Sequence, residues 1–217
     1  MSSKLVIFDC DGVLVDSEKL GNTVFAEMLG VYGHRISADE SVKRFRGVKF
    51  AECLSLLEQE SGIKLPRSFE ADFRQRASTV FRAQLQPVEG ALQLVESMKV
   101  PFCVASSGPR NKIEENLRAT NLYPHFIGKI FSAYEVKSWK PDPGLFLAAA
   151  DHFSVAPEDC VVVEDSFVGI SAGIAANMTV LGLSAAEGDK SVAAANRVFA
   201  SLGEIHKFFV SQNLSSK

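Results

Sequence analysis

The chain reads as an α/β protein, a doubly wound parallel sheet of Rossmann-like type, interrupted after its first strand by an inserted all-helical domain. Three observations predict this. The runs KLVIF (4–8), PFCVAS (101–106), KIFSA (129–133), CVVVE (160–164) and MTVLGL (178–183) are continuously apolar rather than alternating, so both faces of each strand must be covered. Helical patterns lie between them at 88–99 (Leu92, Val95, Met98), 110–120 (Ile113, Leu117) and 143–153 (Leu145, Ala149, Phe153), which implies right-handed crossovers. Residues 17–86 break the alternation with helical patterns alone.

Within that insertion Leu20, Val24 and Met28 keep i, i+4 spacing before Gly33, and Ser37 and Glu40 have the spacing of a capping box. Phe50, Leu54 and Leu57 precede Gly62, and Phe69, Phe73, Val80 and Phe81 line a further helix, where the aromatic side chains read as core. The domains expected are therefore 1–16 with 87–217 as an α/β core, and 17–86 as a helical module. A segment inserted between the first two strands leaves the sheet at its carboxyl edge, where open α/β folds bind ligands. A helical module rooted there is placed to act as a lid. No repeat is visible, and only the terminal Ser-Ser-Lys reads as disordered.

The 217 residues, 47% of them hydrophobic, suffice for one good core and a smaller satellite. A formal charge of -3 arises from 23 basic and 26 acidic residues that are interspersed, which argues against a nucleic-acid partner and for a small-molecule one; no obligate protein partner is evident. No apolar run approaches the roughly 20 residues of a membrane span, and the N-terminus lacks a signal-peptide pattern, so a cytoplasmic protein is expected. The four cysteines form no CxxC, which argues against a zinc ribbon or a thioredoxin-like pair and favours small buried hydrophobes. The four histidines are equally scattered and take no metal or catalytic role.

Chemistry concentrates at strand ends. The stretch FDCDGVLVDSE puts Asp9 and Asp11 directly after the first strand, with Gly12 permitting a sharp bend. A single Asp there would be a turn or helix cap. A pair of them is tolerable beside a hard cation, because Mg²⁺ takes oxygen ligands and keeps waters and a substrate phosphate. More carboxylate should then converge, and CVVVEDSFVG ends another buried strand in Glu164 and Asp165. PFCVASSG ends in Ser106, Ser107 and Gly108 before a helix carrying Arg110 and Lys112, so hydroxyls and helix-start N–H groups could hold a phosphate oxygen; Ser-Ser-Gly is also an ordinary turn. In KSWKPDPG, Lys140 lies in a stretch stiffened by Pro141 and Pro143, where it could offset charge on a transferring phosphoryl group.

These four elements, in this order and over nearly the whole chain, resemble the haloacid dehalogenase superfamily of phosphotransferases. The first motif, DxDG, is matched by Asp9-Cys10-Asp11-Gly12, the second by Ser106, the third by Lys140 and the fourth by Glu164 and Asp165. The resemblance implies that Asp9 attacks phosphorus to form an aspartyl-phosphate, and that Asp11 protonates the leaving alcohol and then takes a proton from water. It implies Mg²⁺ as cofactor, held by the carboxylate of Asp9, the backbone carbonyl of Asp11 and the carboxylate of Asp165, with Glu164 binding it directly or through a neighbour. Ser106 and Lys140 would bind phosphoryl oxygens. The presence of Asp11 argues against dehalogenation.

The resemblance is strongest to the β-phosphoglucomutase-like subgroup, yet Leu20-Gly21-Asn22 stands near the place where such mutases carry a histidine, which favours hydrolysis over mutase chemistry. The segments RFRGVK (44–49), SSGPRNK and SWKPDP are similar to bacterial 6-phosphogluconate phosphatases, which implies a small phosphorylated sugar or sugar acid as substrate. In RFRGVK, Arg46, Gly47 and Lys49 could meet a sugar hydroxyl or a second anionic group, or form a solvated face. A receiver-like phospho-Asp signalling module is the alternative from a different class, disfavoured because its phosphorylated Asp lies on a later strand than its acidic pair. An idle sugar-phosphate binder is disfavoured because each expected catalytic position is filled.

Overall fold

The structure, a computed structural model, describes residues 3–45 and 50–216. A six-stranded sheet runs in the order β3-β2-β1-β4-β5-β6, from β1 (Leu5–Phe8), β2 (Phe102–Ser106), β3 (Ile130–Ser132), β4 (Cys160–Glu164), β5 (Thr179–Leu183) and β6 (Arg197–Phe199). All its pairings are parallel. Every residue of β1 and β4 is buried, as their unbroken apolar sequences require of strands covered on both faces. In register, Ile7 faces Cys103 on β2 and Val162 on β4. Strand order reverses beside β1, and that reversal opens a crevice at the carboxyl ends of β1 and β4.

The chain divides into two compact units, residues 1–15 with 86–217 and residues 16–85. The second unit contains α1 (Ser17–Val31), α2 (Ala38–Phe45), α3 (Phe50–Ser61) and α4 (Phe69–Gln84). Its centre is Phe25, whose ring lies 6.2, 5.3, 6.1 and 5.7 Å from those of Phe45, Phe50, Phe69 and Phe73, mostly edge-on. Phe25, Phe45, Phe69 and Phe81 are buried core and Phe73 is half-buried against them, as the spacing of Phe69, Phe73 and Phe81 predicts. At the start of α2 the Glu40 N–H donates to Ser37 Oγ at 3.2 Å, satisfying one of the helix's orphan donors.

The first unit covers the sheet with α5 (Ala91–Ser97), α6 (Arg110–Ala119), α7 (Tyr123–Phe126), α8 (Ala133–Val136), α9 (Gly144–His152), α10 (Phe167–Ala175) and α11 (Leu202–Ser211). Leu5, Ile7, Cys103, Phe146, Val162 and Ile170 are among the residues of its main apolar cluster. Where β1 meets the insertion, Val15 bridges to Pro87 and the Val88 N–H donates to the Leu14 carbonyl at 3.0 Å. Among the described residues no helix is long and apolar enough to cross a membrane.

Two features depart from the sequence-based reading. The sheet carries β6, an edge strand with Val198 49% exposed, whose Arg-Val-Phe sequence lacks the buried-strand pattern. The C-terminal Ser-Ser is ordered rather than disordered: Ser215 is buried and bridges to Met98, and the Ser216 N–H donates to the Ser97 carbonyl at 2.8 Å. Backbone pairing with the end of α5 holds a segment that composition alone marks as a tail.

Candidate active site

Asp9 is the first residue past β1, fixed by its N–H donating to the Val163 carbonyl at 3.0 Å. Gly12 follows with φ +85°, a left-handed conformation that side chains disfavour. Space requires glycine there as well, since a Cβ at this position would come within 2.2 Å of Asp165 Oδ2. The loop after β1 and the tip of β4 therefore approach so closely that the Asp165 carboxylate lies against main chain. Cys10, between the two aspartates, is fully buried, and burial pushes its thiol well above the ordinary range, so it is a packing residue rather than a nucleophile.

Lys140 enters from the loop before α9, after which the bond to Pro141 is cis. Its ammonium donates to Asp9 Oδ1, to Glu164 Oε1 at 2.6 Å and to the Ala105 carbonyl at 3.1 Å, using all three of its donors. The side chain is only 3% exposed. Burial opposes the charge on Lys140, but Asp9 and Glu164 outweigh it and hold the ammonium above the usual lysine range. Burial likewise pushes the Asp9 carboxyl up; Lys140 opposes the shift and Glu164 adds to it, leaving Asp9 at about 7.

Glu164 has little capacity left. Its Oε2 accepts from the Asp165 N–H, the Ser166 N–H and Ser166 Oγ, each at 2.9 Å. The start of α10 closes over it so tightly that a Cβ at Gly169 would lie 1.8 Å from Oε1. Asp11 is turned toward α6, where its Oδ2 accepts from Lys112 Nζ at 2.8 Å and its Oδ1 from Asn116 Nδ2 at 3.3 Å.

Ser106 ends β2, is buried, and accepts the Gly108 N–H at 3.1 Å, while Ser107 is exposed. Of the basic residues that open α6, Arg110 donates to the Ile130 carbonyl at 2.8 Å and pairs with Glu135, and Lys112 is engaged by Asp11. Arg46, Gly47 and Lys49 lie outside the described residues. Asn22, near the mutase histidine position, donates to the Glu18 carbonyl at 2.8 Å and accepts from Ser41 Oγ at 2.5 Å.

The cation expected from the sequence sits on the carboxylates of Asp9 and Asp165 and the backbone carbonyl of Asp11, with Glu164 binding it directly or through a neighbour. Among the described residues no group of three or more His, Cys, Asp or Glu side chains is arranged to enclose a metal. The reason is visible in their partners, because Asp11 is drawn to α6 and Glu164 to Lys140 and the β4–α10 turn. Asp9 and Asp165 stand at neighbouring strand tips beside the main chain of the DxDG loop. Two carboxylates and a carbonyl fit Mg²⁺, which takes few protein ligands and retains waters and phosphate oxygens. The charge balance fits too, with Lys140 set against three buried carboxylates, Asp9, Glu164 and Asp165.

The model of the haloacid dehalogenase-like hydrolase family matches residues 3–177. The chain belongs to this family. As a haloacid dehalogenase-like hydrolase it is 38% identical over 177 residues, 81% of its length, to the 6-phosphogluconate phosphatase of Escherichia coli K12, of which it covers 80%. It is 33% identical over 80% of its length to the phosphorylated carbohydrates phosphatase of Thermotoga maritima, covering 81% of that protein. A solved structure of a HAD family hydrolase from Deinococcus radiodurans, with bound phosphate and sodium, superimposes with a TM-score of 0.85 at 30% identity, over 99% of this chain and 98% of that one. The haloacid dehalogenase-like fold thus accounts for the whole sheet and the helical insertion together.

Sequence reasoning located the acids but missed Asn116 and the second task of Gly12. The i, i+4 pair Lys112 and Asn116 was the available signal, since it puts two polar side chains on one face of a helix that follows an active-site strand.

Proposed function

We propose that this hydrolase is a Mg²⁺-dependent phosphatase that cleaves a small phosphorylated sugar or sugar acid, with 6-phosphogluconate the first candidate, through an aspartyl-phosphate on Asp9. The observation that carries the reading is the buried Asp9–Lys140–Glu164 cluster at the switch point of the sheet, beside which the Asp165 carboxylate is pressed against Gly12. The relatives named as sugar-phosphate phosphatases and the phosphate-bearing Deinococcus structure support the substrate class.

In this mechanism an Asp9 carboxylate oxygen attacks phosphorus as the bond to the leaving oxygen breaks, dividing one hard displacement into two easier ones. Asp11 gives its proton to the leaving oxygen and then takes one from the water that attacks the aspartyl-phosphate, restoring Asp9 and releasing phosphate. Lys140, held by Glu164 and the Ala105 carbonyl, orients Asp9 and compensates the charge that develops on the phosphoryl oxygens. Ser106, with the N–H groups that open α6, offers donors to those oxygens. Mg²⁺, held by the Asp9 and Asp165 carboxylates and the Asp11 carbonyl, would neutralise charge on the phosphoryl group when bound. Glu164 acts as the holder of Lys140, its oxygens being occupied. The helical unit supplies the lid, a role that rests on its point of insertion, and Arg46, Gly47 and Lys49 are its candidate substrate contacts.

Transfer of the β-phosphoglucomutase type is disfavoured because the Asn22 amide is committed on both sides within the helical unit and is no proton acceptor. The test is a panel of sugar phosphates with p-nitrophenyl phosphate, assayed for released phosphate with Mg²⁺ and with EDTA. Release from 6-phosphogluconate or a related ester, abolished by EDTA, is expected; no release from any member overturns the reading. Conversion of β-glucose 1-phosphate to glucose 6-phosphate without free phosphate would establish the mutase instead.

A further inference from the structure

Asp11 is gripped at both oxygens by one helix. Lys112 Nζ reaches Oδ2 and Asn116 Nδ2 reaches Oδ1, and the two residues stand four apart, one turn along the same face of α6. A single charged partner fixes the distance of a carboxylate; two donors on different oxygens fix its plane. The helix that carries them is itself tied down. Ser132 Oγ donates to the Gly108 carbonyl at 2.7 Å, and Arg110 bonds the Ile130 carbonyl and Glu135, so the end of β3 and the helix after it lock the start of α6. Asn116 is buried, and its carbonyl accepts from Thr120 Oγ1 at 2.9 Å.

We infer that Lys112 and Asn116 are positioning residues that orient the Asp11 carboxyl group for proton transfer to the leaving oxygen, an inference that rests on the phosphatase reading above. In that transfer the P–O bond to the leaving group breaks as the Asp9 oxygen bonds to phosphorus. The proton on Asp11 passes to the departing oxygen, which leaves as an alcohol.

Leaving groups separate this role from a merely structural one. Nitrophenolate departs as a stable anion and needs no proton, whereas a sugar alkoxide does. A misaligned acid therefore slows alkyl esters selectively, while a weakened fold or a disturbed metal site slows both classes.

The experiment measures kcat/KM, which reports the steps through formation of the aspartyl-phosphate, for p-nitrophenyl phosphate and for the best alkyl phosphate of the panel. Lys112→Met and Asn116→Leu are compared with wild type. For the alkyl ester a fall of about tenfold or more is expected, within the range by which a positioned acid or base accelerates reactions, with less than about a threefold change for the aryl ester. Lys112→Arg, which keeps a donor at the position, retains most of the alkyl activity. Should Lys112→Met fail to fold, Lys112→Gln and Asn116→Ala are read on the same ratio. Equal losses on both esters, or no loss on either, overturn the inference while leaving the phosphatase reading intact. A wild type inactive on every phosphate overturns that reading and this inference with it.

Discussion

The Asp165 carboxylate lies against the backbone of Gly12, so close that a Cβ on Gly12 would come within 2.2 Å of Oδ2. Gly12→Ala therefore meets two penalties, a left-handed backbone and a displaced carboxylate. The backbone alone costs about 1 kcal/mol or more, which in a chain of this size lowers the melting temperature by roughly 2–4 °C per kcal/mol. Thermal unfolding together with phosphate release checks this; a variant with wild-type melting and activity would show that the close approach does not exist in solution.

Asp9→Asn should abolish turnover, because an amide does not attack phosphorus, while leaving a folded protein. It should also change how metal-free stability depends on pH. Burial raises Asp9 in the folded protein from 3.8 to about 7, so the folded state holds a proton that the unfolded chain has already lost. Stability is therefore fully present below about 4 and declines as pH rises toward about 7. In EDTA, melting temperatures measured from pH 4 to pH 8 should fall more steeply for wild type than for Asp9→Asn, and parallel curves would contradict the assignment.

Lys140→Met keeps the aliphatic stem and removes the charge shared by Asp9 and Glu164. A loss of about 10² or more in kcat is expected, by comparison with removal of one preorganised electrostatic donor. Removing one partner of a buried ion pair is also destabilising, by about 3–5 kcal/mol, so denaturant unfolding should register it. Wild-type turnover in this variant would separate Lys140 from the chemistry.

Mg²⁺ should raise the melting temperature in proportion to the logarithm of its concentration once the site saturates, since a ligand bound only to the folded state stabilises by mass action. Asp165→Asn should weaken that rise and the Mg²⁺ activation together. Differential scanning calorimetry over a Mg²⁺ series measures the first, and an undiminished shift in Asp165→Asn would remove Asp165 as a ligand.

What was legible in the sequence was set by periodicity. β1 and β4 are buried on both faces, which demands unbroken apolar runs, and such runs ending in acids mark strand tips facing a crevice. The helical insertion was legible for the same reason. β6 was not, because an exposed edge strand of three residues has no pattern to impose. The partners of Arg110, Asp11 and Ser216 were not legible either, since each is chosen by tertiary approach: Lys112 meets Asp11 across 101 positions of sequence. Residue types indicated which side chains could carry charge chemistry. Packing decided that Glu164 spends itself on Lys140 and its own turn, and that Arg110 faces β3.

The paired backbone at Leu14, Val15, Pro87 and Val88 holds the two ends of the helical unit side by side within the α/β unit. To the core, residues 16–85 are a loop whose neck is already closed, and the entropy of loop closure grows only slowly with length. On the proposed reading, in which this unit contacts the substrate, it can therefore be lengthened, shortened or exchanged at that neck while Asp9, Lys140 and Asp165 stay fixed in the α/β unit. A graft at 15/16 and 85/86 is the natural cut for exchanging the helical unit without touching those residues.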